Sequence, residues 1–139
     1  MAEGSGLIRR FYEDVIGNGQ LDLVDEFVVE DLVDHEEGFP GQPPGREGAK
    51  FFANAIREAF PDISAKSVEP TMVDGNLEAA RTVVAGTHKG EFMGIAPTDK
   101  TVEFESIDII RVEDGKVAEH WGVTDTMSLM QQLGAVPTD

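Results

Sequence analysis

The sequence has no cysteine, which excludes disulfides, thiolate catalysis and cysteine-ligated zinc or iron–sulfur centres. No apolar run approaches the roughly 20 residues needed to cross a bilayer. The opening MAEGSGLIRR has no basic segment followed by an apolar one, so no secretory signal is expected, and the default location is cytoplasmic. Positive charge is also scarce, with 11 Lys and Arg against 27 Asp and Glu and a formal net charge of -16. Such a field repels polyphosphates and anionic membranes, so neither nucleic acid nor a membrane surface is an expected partner. A solvated acidic surface that aids solubility accounts for the charge, as does a salt-adapted source. GxGxxG, GxxxxGK[ST] and GxSxG motifs are absent, which leaves dinucleotide, nucleoside-triphosphate and serine-hydrolase functions without support. Only three histidines occur, none in HxH or HxxxH spacing, and no metal site is expected.

The 139 residues that remain to be explained have globular composition, 40% hydrophobic and 27% charged, and suit one domain over 1–139. Residues 5–20, SGLIRRFYEDVIGNGQ, place Leu7, Ile8, Phe11, Tyr12, Val15 and Ile16 at helical spacing, with Ser5 as a cap and Gly17-Asn18-Gly19 as a stop. A short second helix through Leu21, Val24, Phe27 and Val28 runs into the extended DLVDHEEG. FPGQPPGREG is too rich in Pro and Gly for a regular element and reads as a loop at the mouth of a cavity. A third helix, burying Phe52, Ala55, Ile56 and Ala59 or Phe60, is ended by Pro61.

From residue 62 the period becomes that of strands, broken by Asp74-Gly75 and Asp114-Gly115 turns, which predicts a long antiparallel meander. Met127, Leu129, Met130 and Leu133 then form a short terminal helix closed by Gly134 and Pro137. Helices followed by a sheet define an α+β fold in which the helices cover the apolar face of the sheet. A strongly bent sheet would make a cone with a blind cavity suited to a small ligand.

Alternation in VEFESIDIIRVEDG places Phe104, Ser106, Asp108, Ile110 and Val112 on one face. Asp108 is thus a carboxylate among apolar neighbours, and desolvation should raise its pKa unless a partner offsets it. Counting through the Asp114-Gly115 turn sets Glu113 opposite Lys116 and Asp108 opposite Trp121, next to His120. Regular pairing puts Asp108 and His120 on opposite faces; a one-residue bulge would put them on the same face. Together they form either an acid/base pair or a structural ion pair between strands. His88 ends the preceding strand and fits a satisfied polar residue as well as a catalyst. His35 stands before the Pro/Gly loop and could rim the cavity. Trp121, Met127 and Met130 fit either core packing or an apolar wall for a flat ligand, with Asp125 at its rim.

Four stretches in order, FPD at 60–62, GTHKGEFMGIAPTDKTVEF at 86–104, IIRVEDGKVAEHW at 109–121 and QQLG at 131–134, resemble the SnoaL-like polyketide cyclases, or ester cyclases, of the NTF2-like superfamily. The resemblance spans nearly the whole chain. It implies a cone-shaped α+β barrel with N-terminal helices packed on a curved antiparallel sheet and a short C-terminal helix. It also implies cofactor-independent acid/base chemistry, an aldol cyclisation or a related isomerase or lyase step, on a small hydrophobic carbonyl or polyketide-like compound. A homodimer through the outer sheet face is implied as well.

In those cyclases the acid/base aspartate follows the histidine of the EHW-like strand by two positions, where this chain has Gly122, and a histidine of the preceding strand falls at Asp108. His88, His120 and the Pro97-Thr98-Asp99 turn match the family pattern. The expected catalytic set is therefore Asp108 as base with His120 or His88 as partner, and the expected substrate contacts are His35, Phe52, Phe104, Trp121, Asp125 and Met127. The alternative is the same scaffold binding a small hydrophobic ligand without turnover.

Overall fold

The computed structural model describes residues 4–136. Helix α1 (Leu7–Arg10) starts after Gly6, whose φ of 77° suits glycine, and continues as wider π-helical turns over Phe11–Gly17. Its apolar stripe buries Leu7, Ile8, Val15 and Ile16, as the spacing predicts. The widening was not expected; π-helical turns inside helices often re-aim a functional side chain, and Tyr12 lies in this segment. Helix α2 (Leu23–Phe27) passes directly into strand β1 (Val28–Asp34). Helix α3 (Gly45–Ala59) buries Ala49, Ala53, Ile56 and Ala59 and stops before Pro61. Its buried stripe is rotated from the expected one, so that Ala53 rather than Ala55 faces inward and Phe52 is left half-buried at the edge.

Strands β2 (Ser64–Asp74), β3 (Leu77–Thr87), β4 (Thr101–Glu113) and β5 (Lys116–Thr124) form the expected antiparallel meander. The sheet order is β1-β5-β4-β3-β2, and β1 adds to its edge in parallel with β5. That parallel edge escapes local patterning, because Val28 and its partner Val117 are far apart in sequence. The sheet is bent by register shifts in β2 and β5 and remains open, so the cone is not a closed barrel.

The β4–β5 turn places Asp114 at φ 52° and Gly115 at φ 77°, the two left-handed residues of a tight hairpin. Glu113 pairs with Lys116 and Val112 with Val117, but Arg111 pairs with Glu119, so Ala118 is an extra residue in β5. Beyond this bulge Ile110 faces His120 and Asp108 faces Gly122. Asp108 and His120 therefore share the inner face.

The core lies between the sheet's concave side and helices α1 and α3. Phe60 is fully buried there, with its ring 5.5 Å from Phe92 and 6.2 Å from Phe104. Truncating so large a buried ring to alanine costs about 3–5 kcal/mol. Helix α4 (Thr126–Gln132) seats Leu129 on this core, with Leu133 buried at its end. Gly134, at φ 80°, follows it, and Pro137 lies outside the described residues. Among the described residues no helix is long and apolar enough to cross a membrane.

Candidate active site

Asp108 projects from the centre of β4 and is almost completely buried, at 5% exposure. Its Oδ1 lies 2.7 Å from Nε2 of His120, and its Oδ2 accepts the Tyr12 hydroxyl at 2.7 Å and the Ser106 hydroxyl at 3.2 Å. The opposite ring nitrogen of His120, Nδ1, lies 2.8 Å from Oδ1 of Asp34 at the end of β1. His120 is thus clamped between two carboxylates, an arrangement that suits an imidazolium donating from both nitrogens. Burial works against charge on the ring, but the hydrogen bonds and charges of Asp108 and Asp34 outweigh it and raise its pKa to about 10. Burial pushes the Tyr12 phenol well above its ordinary value, and the charge and hydrogen bond of Asp108 push it further. Both groups carry their protons at neutral pH.

Glu36 closes the cluster from the loop side. Its Oε2 accepts the Thr124 hydroxyl at 3.2 Å, and its Oε1 lies 4.0 Å from Nε2 of His120. Burial raises its pKa, and the charge of Asp108 adds to the rise against smaller opposing effects of His120 and Thr124. These groups face two adjoining cavities of about 90 and 120 Å3, which share Tyr12, Glu36, Glu37, Gly38 and Phe52 as lining. Asp108 and His120 open onto the first, and Ser106 and Phe104 onto the second. The Pro/Gly loop borders the first cavity through Gln42 and the second through Phe39, as its place in the chain predicts. Among the described residues, no lysine or arginine lines either cavity, whereas Asp34, Glu36, Glu37 and Asp108 do.

Gly122 explains how the cluster fits. A Cβ at this position would lie 2.7 Å from Oδ1 of Asp108, 2.9 Å from Oε1 of Glu36 and 2.9 Å from Nε2 of His120. The space that a side chain would need at 122 is therefore bounded by Asp108, reaching across from β4.

Of the expected site residues, Asp108, His120, Phe52 and Phe104 are brought to the cavities, and the others are not. His88 is fully buried, but Ala80 is the residue of β3 that pairs with Asp108, and His88 stands eight positions further on, roughly 26 Å at strand rise. There it accepts the Thr98 backbone N–H at Nδ1 at 3.2 Å and lies 3.0 Å from the Thr98 hydroxyl, so it organises the 88–99 loop. His35 alternates to the outer side of the sheet, where its ring stacks on Trp121 at 5.0 Å and its Nε2 meets Glu119 at 2.6 Å. Trp121 pairs with the outward-facing Ile109, so it belongs neither to the cavity wall nor to the core beneath α4. Met127 is 62% exposed on the far side of α4, and Asp125 caps that helix by accepting the Ser128 N–H at 3.0 Å.

Tyr12, Asp34 and Glu36 were not anticipated. A period of two through Leu32, Asp34 and Glu36 marks one face and could have revealed the two acids; for Tyr12, 96 residues from Asp108, no local signal exists. Glu36, Asp108 and His120 each offer a ligand atom, all within 4.8 Å of one another. A metal there would take the Nε2 lone pair of His120 and displace the proton that Nε2 shares with Asp108.

The concave wall of this open α+β cone thus carries buried, proton-bearing groups. The chain belongs to the SnoaL-like polyketide cyclase family, whose profile matches residues 6–133. It is 26% identical over 116 residues to the nogalonic acid methyl ester cyclase of Streptomyces nogalater, covering 84% of this chain and 87% of that protein. It is 29% identical over 134 residues to the aklanonic acid methyl ester cyclase DauD of Streptomyces sp. (strain C5), covering 92% and 80%. Among solved structures, IdmH, a candidate polyketide cyclase from Streptomyces antibioticus, is similar with a TM-score of 0.79 and 34% identity over 94% of this chain and 97% of that one. TsrD from Streptomyces laurentii has the same fold, with a TM-score of 0.85 at 23% identity over 98% and 99%.

Proposed function

We propose that the protein catalyses a cofactor-independent proton-transfer reaction on a small hydrophobic carbonyl compound, an intramolecular aldol closure of a polyketide-like ester. One observation carries the reading: Asp108 and His120 meet at 2.7 Å in the wall of a cavity, with Tyr12 on the other oxygen of the same carboxylate. His120 supplies the proton that the new alkoxide needs. Asp108 and Asp34 hold the ring and keep it charged, and Tyr12 fixes Asp108. The cavity acids, unmatched by Lys or Arg, favour a neutral ester over a free carboxylate, which like charge would repel. The methyl esters named for the two cyclase relatives are substrates of that kind.

Aklanonic acid methyl ester and nogalonic acid methyl ester are the first compounds to test, each read for a product of unchanged mass and altered chromatographic retention. Asp108→Asn, which takes a carboxylate from the ring of the proton donor His120, should lower turnover about 10²-fold, the lower end of the range for a positioned acid/base group. Turnover equal to wild type in that variant would sink this assignment. The second reading, a carrier that binds such a molecule without converting it, is favoured by Gly122, which replaces the family's acid/base aspartate. It predicts tight binding of the esters with no product.

The outer sheet face presents Ile107, Ile109 and Val123 to solvent, at 56%, 39% and 74% exposure. This apolar strip suits a homodimer, which the family resemblance implies. Sedimentation should give twice the chain mass, and Ile109→Lys should return it to one.

A further inference from the structure

We infer that Glu36 is the catalytic base, the group that takes the proton from the substrate carbon, while His120 returns a proton to oxygen. The inference rests on the proton-transfer reading above and assigns the half of it that the Asp108–His120 pair leaves open.

Asp108 is poorly placed to accept a proton. Its two oxygens already receive three hydrogen bonds, from His120, Tyr12 and Ser106, so both are occupied by donors rather than turned to a substrate carbon. Asp34 has its Oδ1 engaged by His120 and by the Glu36 backbone N–H at 3.0 Å, and it borders the first cavity alone. Glu37 lines both cavities at their exposed rim.

Glu36 differs from all three. Thr124 holds Oε2, and Oε1 faces the gap left by the missing side chain of Gly122, with His120 at 4.0 Å beyond hydrogen-bond reach. Its backbone is tied to Asp34, the residue that also holds His120, so base and acid share one anchor. Glu36 borders both cavities, at the junction where the middle of a two-armed ligand would lie. Its raised pKa makes it a stronger base than a solvated carboxylate.

The step balances within the site. A C–H bond next to a carbonyl breaks, its proton goes to Oε1 of Glu36 and its electron pair becomes the enolate. The enolate carbon bonds to a second carbonyl carbon of the same molecule, and that oxygen takes the proton from Nε2 of His120. Neutral His120 then sits between two carboxylates, an unfavourable state that the proton on Glu36 relieves. No proton is gained or lost overall, and the product is an isomer of the substrate.

The test uses aklanonic acid methyl ester in deuterated water with the full-length wild type, Glu36→Gln and Glu36→Asp, following deuterium uptake beside the carbonyls and ring closure in the same samples. Glu36→Gln should lose at least about 100-fold in kcat for both signals, with KM and thermal midpoint close to wild type. Glu36→Asp should keep an intermediate rate, and the fall in wild-type rate at acid pH should disappear in the Gln variant. Exchange and closure within threefold of wild type in Glu36→Gln would overturn the assignment to Glu36 and leave the cyclase reading intact. Glu36-dependent exchange without closure would support Glu36 and overturn the cyclisation. Neither signal in the wild type would overturn both.

Discussion

His120 and Asp34 are bound to each other at 2.8 Å across the parallel β1–β5 edge, and the other nitrogen of the same ring is held by Asp108 at 2.7 Å. The ring is therefore the positive centre of a carboxylate–imidazolium–carboxylate line. Its pKa of about 10 in the folded protein, against 6.5 as the ordinary value, fixes the sign of a pH effect. A group whose pKa rises on folding contributes all its stabilisation below the unfolded value and loses it as pH climbs through the folded one. Wild type should exceed His120→Gln in unfolding free energy by roughly 3 kcal/mol at pH 6, the scale for breaking a buried pair. That difference should shrink steadily between about pH 6.5 and 10. Urea titrations of both proteins across this range measure it, and a difference that grows with pH would contradict the ion-pair description.

Gly122 and Asp108 should behave as an exchangeable pair. Any side chain at 122 meets three polar atoms within 3 Å, so Gly122→Ala should cost about 1–3 kcal/mol by overpacking. Gly122→Asp should be worse, since it adds a third carboxylate beside Asp108 and Glu36. Combined with Asp108→His, which recreates the family's histidine-then-aspartate order, the same substitution should recover stability relative to Gly122→Asp alone. A coupling of 0.5 kcal/mol or more in the double-mutant cycle is the expected reading for residues in contact.

Tyr12→Phe removes the 2.7 Å hydrogen bond to Asp108 while keeping the ring. A hydrogen bond to a charged acceptor contributes about 1.5–3 kcal/mol, so the variant should unfold at correspondingly lower denaturant. The high Tyr12 pKa adds a spectroscopic check. This is the only tyrosine in the chain, and no tyrosinate absorbance should appear in the folded protein at pH 10.

The face of Asp108 was legible because β4 alternates strictly, with Phe104, Ser106, Asp108 and Ile110 all buried. The face of His120 was legible only as a condition, because parity across the hairpin depends on Ala118, whose small apolar side chain does not announce a bulge. His35 drew attention as a histidine, yet its neighbour Glu36 turned inward; among 27 acidic residues one glutamate carries no compositional signal. His88 matched the family pattern, but matching says nothing of where along a strand a residue lies, and its partners are those of a loop anchor. Tyr12 and the parallel β1 edge depend on contacts between distant segments and had no local trace.

The stack of His35 on Trp121 joins the two sides of the sheet edge, since the residue after His35 enters the cavity and Trp121 follows His120. Trp121 is the only tryptophan, so the protein carries one indole fluorophore, parked outside the cavity against the loop that delivers Glu36. A ligand that displaces residues 35–38 would slide the imidazole across that indole and change its emission, so occupancy of the interior that moves this segment would be read by light from the exterior, without a label.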